Sequence, residues 1–213
     1  MIKGGFDMKK KMFLLNYLII VLGVIGTGIM LGRYCDNGFT LEGFVNLKYF
    51  TNLSNIFATV VAVISVIRKK QKKPQMMRLK LFAAAALGLT FLTVILYLAP
   101  FVAGFARAYR NESFIFHLLL PLAAIAEFIL CDSDGANGIT PKGALITVLG
   151  PAVYGTVYVI QFLIRGSVRE ADWYGFILWG LPIGFCIFAG LMIVTWGISI
   201  LMCKLRRDQT RDR

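Results

Sequence analysis

Residues 79–99 read LKLFAAAALGLTFLTVILYLA, a stretch in which Lys80 carries the only charge. A helix needs roughly 20 mostly apolar residues to cross a hydrocarbon core of about 30 Å. This stretch therefore predicts a transmembrane helix, and it decides the class of protein to which the chain belongs.

Five further stretches meet the same requirement of length and apolar content. They cover residues 13–31, 50–67, 114–131, 144–164 and 174–203. The last of them is long enough to tilt or to continue beyond the bilayer, and the connectors are too short for a separate soluble domain. We therefore expect residues 1–213 to form one all-α domain, a polytopic bundle of six transmembrane helices.

The composition agrees with this class and excludes others. Hydrophobic residues make up 58% of the chain and charged residues 16%, with a mean hydropathy of +0.72, whereas soluble domains are usually about 45–50% apolar and about 25% charged. Disordered chains are poor in apolar residues. The four cysteines, at positions 35, 131, 186 and 203, are too scattered for a disulfide framework. These numbers indicate a multi-pass integral membrane protein.

The net charge of +12 is distributed unevenly between the two sides of the predicted bundle. Of the 23 Lys and Arg residues, 17 lie in the N-terminal segment, in the second connector with the residues that border it, in the fourth connector and in the C-terminal segment, and six lie in the other connectors. The positive-inside rule then places both termini in the cytoplasm, with the spans in the cell membrane. Basic runs beside spans are topology signals and contacts for anionic headgroups, so we expect a membrane partner and no nucleic acid.

The second span opens with an unusual density of polar side chains. Thr51, Asn55 and Thr59 recur every four residues and so share one helical face, with Ser54 beside them. Polar residues inside a bilayer are costly and are candidates for a functional site. They also serve as interhelical packing contacts, and the sequence leaves both interpretations open.

His117 is the single histidine of the chain, about one turn inside the fourth span. Since the second and fourth spans enter the bilayer from the same side, Thr51 and His117 are expected at similar depth. A base within reach of a hydroxyl turns it into a nucleophile, and imidazole suits that task near neutral pH. A packing role is the alternative. We expect neither a metal nor another cofactor, because no second histidine or acidic cluster completes a ligand set at that depth.

The fifth span carries a polar stripe. Its members are Tyr154, Tyr158, Gln161 and Arg165, at spacings that place them on one helical face. They could bind an ester or a carboxylate near the level of Thr51 and His117. Alternatively, Arg165 extends to the headgroups and the tyrosines belong to an interfacial aromatic belt.

Glu127 is the remaining charge within the fourth span. Ten residues at about 1.5 Å rise place it roughly 15 Å deeper than His117, so it is too far away to orient the imidazole. We expect it to accept hydrogen bonds near the cytoplasmic side or to pair with a base such as Lys80 or Lys142.

Three blocks of the sequence, in order and spread over most of residues 10–200, resemble a known family. They are Phe50-Thr51, the His117–Pro121–Glu127 pattern, and Tyr158 through Arg165-Gly166 to Trp173-Tyr174-Gly175-Phe176. The chain resembles the six-span bacterial Pr-six-Pr membrane proteins. More distantly, it is similar to the androgen-induced-gene and androgen-dependent-regulator membrane hydrolases.

This resemblance implies an intramembrane threonine hydrolase. The eukaryotic relatives cleave fatty acid esters of hydroxy fatty acids with one Thr and one His, which fall at Thr51 and His117 here. The implied substrate is a lipid or fatty-acyl ester.

Three hypotheses follow. In the first, the chain is a lipid-ester hydrolase in which His117 deprotonates Thr51, Asn55 donates to the oxyanion, and Arg165 with Tyr154 or Tyr158 binds a carboxylate. In the second, the same polar residues line the cavity of a transporter or binding protein for a small amphipathic molecule. In the third, they only pack helices together.

Overall fold

The computed structural model describes residues 3–32, 41–130, 139–165 and 171–211. Within these ranges every regular element is helical, which confirms the predicted all-α class. Six helices in them are long and apolar enough to cross a membrane, as the sequence predicted.

These six helices are numbered α1 to α6 in chain order. They are α1 Lys3–Gly32, α2 Phe50–Lys70, α3 Met77–Ala103, α4 Glu112–Leu130, α5 Pro141–Arg165 and α6 Leu181–Arg211. A 3-10 helix, Leu41–Lys48, precedes α2, and a short helix, Phe105–Ala108, separates α3 from α4.

Helix α3 lies at the centre of the bundle and contacts α2, α4, α5 and α6. Its run of small residues, Ala83–Ala86, is buried together with Leu81 and Leu87. Small side chains let helix backbones approach closely in a membrane, where packing replaces the hydrophobic effect as the driving force. The stretch that decides the fold class is therefore also the central element of the fold.

Helix α1 packs against α2 and α4, the two helices that carry Thr51 and His117. A Cβ atom on Gly23 would lie 1.9 Å from Thr59 Oγ1 of α2, and one on Gly26 would lie 2.4 Å from the Phe116 ring of α4. Because no side chain fits at either position, the two glycines permit α1 to pack directly on both neighbours.

The sixth helix begins later than the sequence pattern predicted. Residues 174–180 form turns, and α6 starts at Leu181. Gly175 and Gly180 have positive φ angles of 72° and 97°, a region that L side chains avoid, and the Asp172 carboxylate accepts the Ile177 N–H at 3.0 Å. These local features fold the segment back onto the bundle, where Tyr174 and Phe176 are buried. The predicted span start was wrong because hydropathy alone does not register such turns.

Glu127 pairs with Lys80, one of the two bases that the sequence indicated. The Lys80 ammonium lies 2.5 Å from Glu127 Oε1, and the Asn16 amide donates to the same oxygen at 2.9 Å. All three side chains are buried. This charge cluster joins α1, α3 and α4 inside the bundle.

Candidate active site

Thr51 and His117, the two residues that the sequence singled out for chemistry, line one cavity of about 280 Å³. Thr51 lies in the first turn of α2 with a side chain 7% exposed, and His117 lies in the second turn of α4. The structure therefore places a hydroxyl and an imidazole in the lining of one cavity.

The imidazole is oriented by a backbone carbonyl. His117 Nδ1 lies 2.7 Å from the Ala108 carbonyl oxygen, in the short helix before α4. A carbonyl only accepts, so Nδ1 carries the proton of the neutral ring, and Nε2 keeps its lone pair. Among the described residues, Nε2 has no hydrogen-bond partner. The ring is thus held in the tautomer that a general base requires, with a carbonyl where many hydrolases use a carboxylate.

A π-helical turn at Ile115–Leu119 sets the position of His117 on α4. Within this turn the Leu120 N–H donates to the Ile115 carbonyl, five residues back. In that register the Phe116 carbonyl would need the N–H of residue 121, but Pro121 has none. Pro121 therefore leaves a buried carbonyl beside His117 that another group must satisfy.

Asn55 supplies the missing donor and links the two halves of the site. Its Nδ2 group donates to the Phe116 carbonyl at 3.0 Å and to the Thr51 carbonyl at 2.6 Å. The side chain is completely buried. Since both amide hydrogens are used, the oxyanion contact that the sequence suggested for Asn55 would require one of these bonds to break. Asn55 instead ties the backbone at Thr51 to the backbone next to His117.

Tyr174 is a candidate that the sequence argument did not single out. Its ring lines the same cavity as Thr51 and His117, and its buried hydroxyl makes no hydrogen bond of regular geometry within the described residues, although the Thr51 and Tyr154 hydroxyls lie near enough to interact with it. Burial raises the pKa of Tyr174 to about 12, although the nearby Thr51 hydroxyl acts in the opposite direction. The phenol is therefore protonated at neutral pH and able to donate. The Trp173–Phe176 block was the only sequence signal for it.

Glu112 also lines the cavity with His117 and was missed. It lies five residues before His117, and residues five apart point in different directions on a regular α-helix. The π-helical turn between them changes that register. No pattern based on helical periodicity would have grouped these two residues.

Three members of the predicted stripe on α5 line a second cavity of about 560 Å³: Tyr154, Tyr158 and Gln161. The Tyr158 hydroxyl donates to Asp172 and accepts the Tyr174 N–H at 3.1 Å, so it anchors the segment that carries Tyr174. The Tyr154 hydroxyl donates to the Lys48 carbonyl at 2.6 Å. Arg165 is exposed at the end of α5 and lines neither cavity.

A small cavity of about 30 Å³ lies between the two larger ones. It shares Thr51 and Tyr174 with the 280 Å³ cavity, and Phe50 and Tyr154 with the 560 Å³ cavity. Thr51 therefore lines both the small cavity and the 280 Å³ cavity, and the Phe50 and Tyr154 side chains lie between the small cavity and the 560 Å³ cavity.

In the described ranges no group of three or more His, Cys, Asp or Glu side chains is arranged to hold a metal ion. No family model, curated protein or solved structure matches the chain.

Proposed function

We propose that this protein is an intramembrane lipid-ester hydrolase with Thr51 as nucleophile and His117 as general base. One observation carries the proposal: the Thr51 hydroxyl and an imidazole held in the Nδ1-protonated tautomer face the same cavity. The resemblance to the Pr-six-Pr proteins and the more distant membrane hydrolases supports the same pair of residues. The proposed substrates are fatty acid esters of hydroxy fatty acids or similar amphipathic acyl esters.

The first half-reaction forms an acyl-enzyme. His117 Nε2 takes the proton of the Thr51 hydroxyl as Oγ1 attacks the ester carbonyl carbon, which gives a tetrahedral oxyanion. The intermediate collapses when the bond to the alcohol oxygen breaks, and that oxygen receives the proton from Nε2. The free alcohol leaves, and the acyl group stays on Thr51.

In the second half-reaction a water molecule gives a proton to Nε2 and attacks the acyl carbonyl. The carbon–Oγ1 bond then breaks, Oγ1 regains its proton from Nε2, and the carboxylic acid is released. The small cavity beside Thr51 has a volume of about 30 Å³, enough for a water molecule.

Tyr174 is the proposed oxyanion donor. Its side chain lines both cavities next to Thr51, and its buried hydroxyl is protonated at neutral pH, close to the Thr51 hydroxyl and without a hydrogen bond of regular geometry in the described residues. A donor that is already in place when negative charge develops stabilises the transition state more than the ground state.

Conversion of Tyr174 to Phe removes this hydroxyl and keeps the ring. We expect kcat to fall by about 10²–10³, with a smaller change in KM, when ester hydrolysis is followed in detergent. Tyr17→Phe on the exposed face of α1 is the control. A Tyr174→Phe enzyme with unchanged kcat would remove Tyr174 from the mechanism.

The charge distribution supports the proposed placement in the cell membrane. Since 17 of the 23 basic residues lie in or directly bordering the N-terminal segment, the second and fourth connectors and the C-terminal segment, the proposed orientation has both termini in the cytoplasm. The starts of α2 and α4, and therefore Thr51 and His117, then lie in the outer half of the bilayer.

The experiment that tests the proposal is covalent labelling with a long-chain alkyl fluorophosphonate, which an activated hydroxyl attacks with loss of fluoride. We expect peptide mass spectrometry to find the adduct on Thr51. Thr51→Ala should abolish labelling, whereas the control Thr156→Ala, an exposed hydroxyl on α5, should not change it. Equal labelling of the wild type and Thr51→Ala would refute the proposal.

The second candidate function is binding or transport of an amphipathic molecule without chemistry. The observation in its favour is the 560 Å³ cavity, which is larger than the one that holds Thr51 and His117. Failure of Thr51 labelling together with tight binding in the larger cavity would select it.

A further inference from the structure

The 560 Å³ cavity is an apolar groove on the outer surface of the bundle, between α2, α3 and α5. Its rim includes Leu53, Val153 and Val157, which are 41%, 62% and 57% exposed. Large apolar side chains exposed on a transmembrane bundle face lipid. The groove therefore opens sideways to the hydrocarbon core.

The groove is long enough for an extended hydrocarbon chain. Its lining runs along α5 from Leu149 to Gln161, which is about 18 Å at the rise of an α-helix. That length exceeds half of a hydrocarbon core of about 30 Å. On α2 the lining continues to Phe57, whose ring packs edge-on against Phe82 of α3.

Lys48 is the one charged residue that lines this groove. Its ammonium group lies 5.3 Å from the centre of the Tyr49 ring and 5.5 Å from that of Trp173. Two aromatic faces hold the cation in place. Within the described ranges no carboxylate forms an ion pair with it. A half-buried cation at one end of an apolar groove thus has no anionic partner among the residues that the structure describes.

Gln161 supplies a neutral polar group at the same end. Its side chain lines the groove and makes no hydrogen bond to any described residue. It lies one turn beyond Tyr158, whose ring packs 4.6 Å from Trp173, the residue beside the Lys48 ammonium. An amide N–H is therefore available on the same groove wall as the cation.

From these contacts we infer that the groove binds a long-chain carboxylate, with the headgroup on Lys48 and Gln161 and the chain along the apolar wall. A single cation matches a monoanion. A phosphate monoester carries a charge of about −1.5 to −2 at pH 7 and is better matched by several basic groups. The groove adjoins the cavity of Thr51 and His117 at Trp173, which lines both, but the inference does not depend on hydrolysis.

The test measures binding of radiolabelled palmitate to the full chain in phosphatidylcholine nanodiscs at pH 8, with empty nanodiscs subtracted. Hexadecanol and hexadecyl phosphate are the comparison ligands. We expect palmitate to bind at least tenfold more tightly than hexadecanol, and more tightly than the phosphate. Lys48→Met should remove at least tenfold of the palmitate affinity and leave hexadecanol unchanged, while Lys48→Arg should stay within threefold of the wild type.

Two controls keep the result specific. Lys142→Met removes an exposed lysine from the other end of α5 and should leave palmitate binding unchanged. Val153→Trp, which fills the groove, should abolish binding of both palmitate and hexadecanol. Unchanged palmitate affinity in Lys48→Met, or tighter binding of the phosphate, would overturn the inference. The palmitate binding measurement is repeated with the Thr51→Ala variant, which lacks the proposed nucleophile. Its result therefore tests the groove independently of the hydrolase proposal.

Discussion

Replacement of His117 by alanine is expected to lower kcat for ester hydrolysis by about 10²–10⁴, the range that positioned acid–base catalysis contributes. The imidazole acts in both half-reactions, because it takes the proton from Thr51 and later from water. KM should change little, since the ring is proposed to act on protons rather than to hold the acyl chain. Steady-state hydrolysis of a long-chain ester in detergent measures both constants.

The variant also loses the contact between His117 Nδ1 and the Ala108 carbonyl, so stability has to be followed in parallel. We expect its thermal unfolding to stay close to that of the wild type, because the contact links two adjacent segments near the membrane surface. Combining His117→Ala with Thr51→Ala should lower kcat no further than Thr51→Ala alone, as residues that act as a unit are not additive. Hydrolysis by His117→Ala within threefold of the wild type would exclude the imidazole as the base.

The fold class was predictable because a bilayer imposes one simple requirement. A spanning helix needs length and apolar content, and both are local properties of the sequence. The stretch at 79–99 already contained them, and the helix Met77–Ala103 lies where it predicted. The start of α6 was missed because Asp172, Gly175 and Gly180 act through turns that average hydropathy does not detect.

The candidate site was only partly predictable. The sequence grouped Thr51 with His117 because both residues lie near the start of spans that enter the bilayer from the same side, and they are therefore expected at similar depth in the membrane. The link between them could not be predicted from sequence. It depends on Pro121, which leaves the Phe116 carbonyl without a donor in its own helix, and on Asn55 of α2, which donates to that carbonyl of α4. Arg165 was grouped with the other stripe residues by helical periodicity, but it lies past the groove at the end of α5.

The second large effect concerns the buried pair of Lys80 and Glu127. Removal of one partner of a buried ion pair leaves an uncompensated charge and typically costs about 3–5 kcal/mol. We expect Lys80→Met and Glu127→Met each to lower the free energy of unfolding by that amount. Unfolding in mixed dodecyl maltoside and sodium dodecyl sulfate micelles, followed by circular dichroism, measures it. Lys142→Met, at an exposed position, should change it by less than about 0.5 kcal/mol.

The double variant Lys80→Met/Glu127→Met decides what this pair contributes. Both charges are then gone, so no buried charge remains unpaired, and replacement of a whole buried pair by apolar residues is often neutral or stabilising. We expect it to recover most of the stability that each single variant loses, although the Asn16 amide also loses the carboxylate as acceptor. A double variant no more stable than the worse single variant would contradict this, and would mean that the pair stabilises the bundle by its attraction rather than by mutual neutralisation.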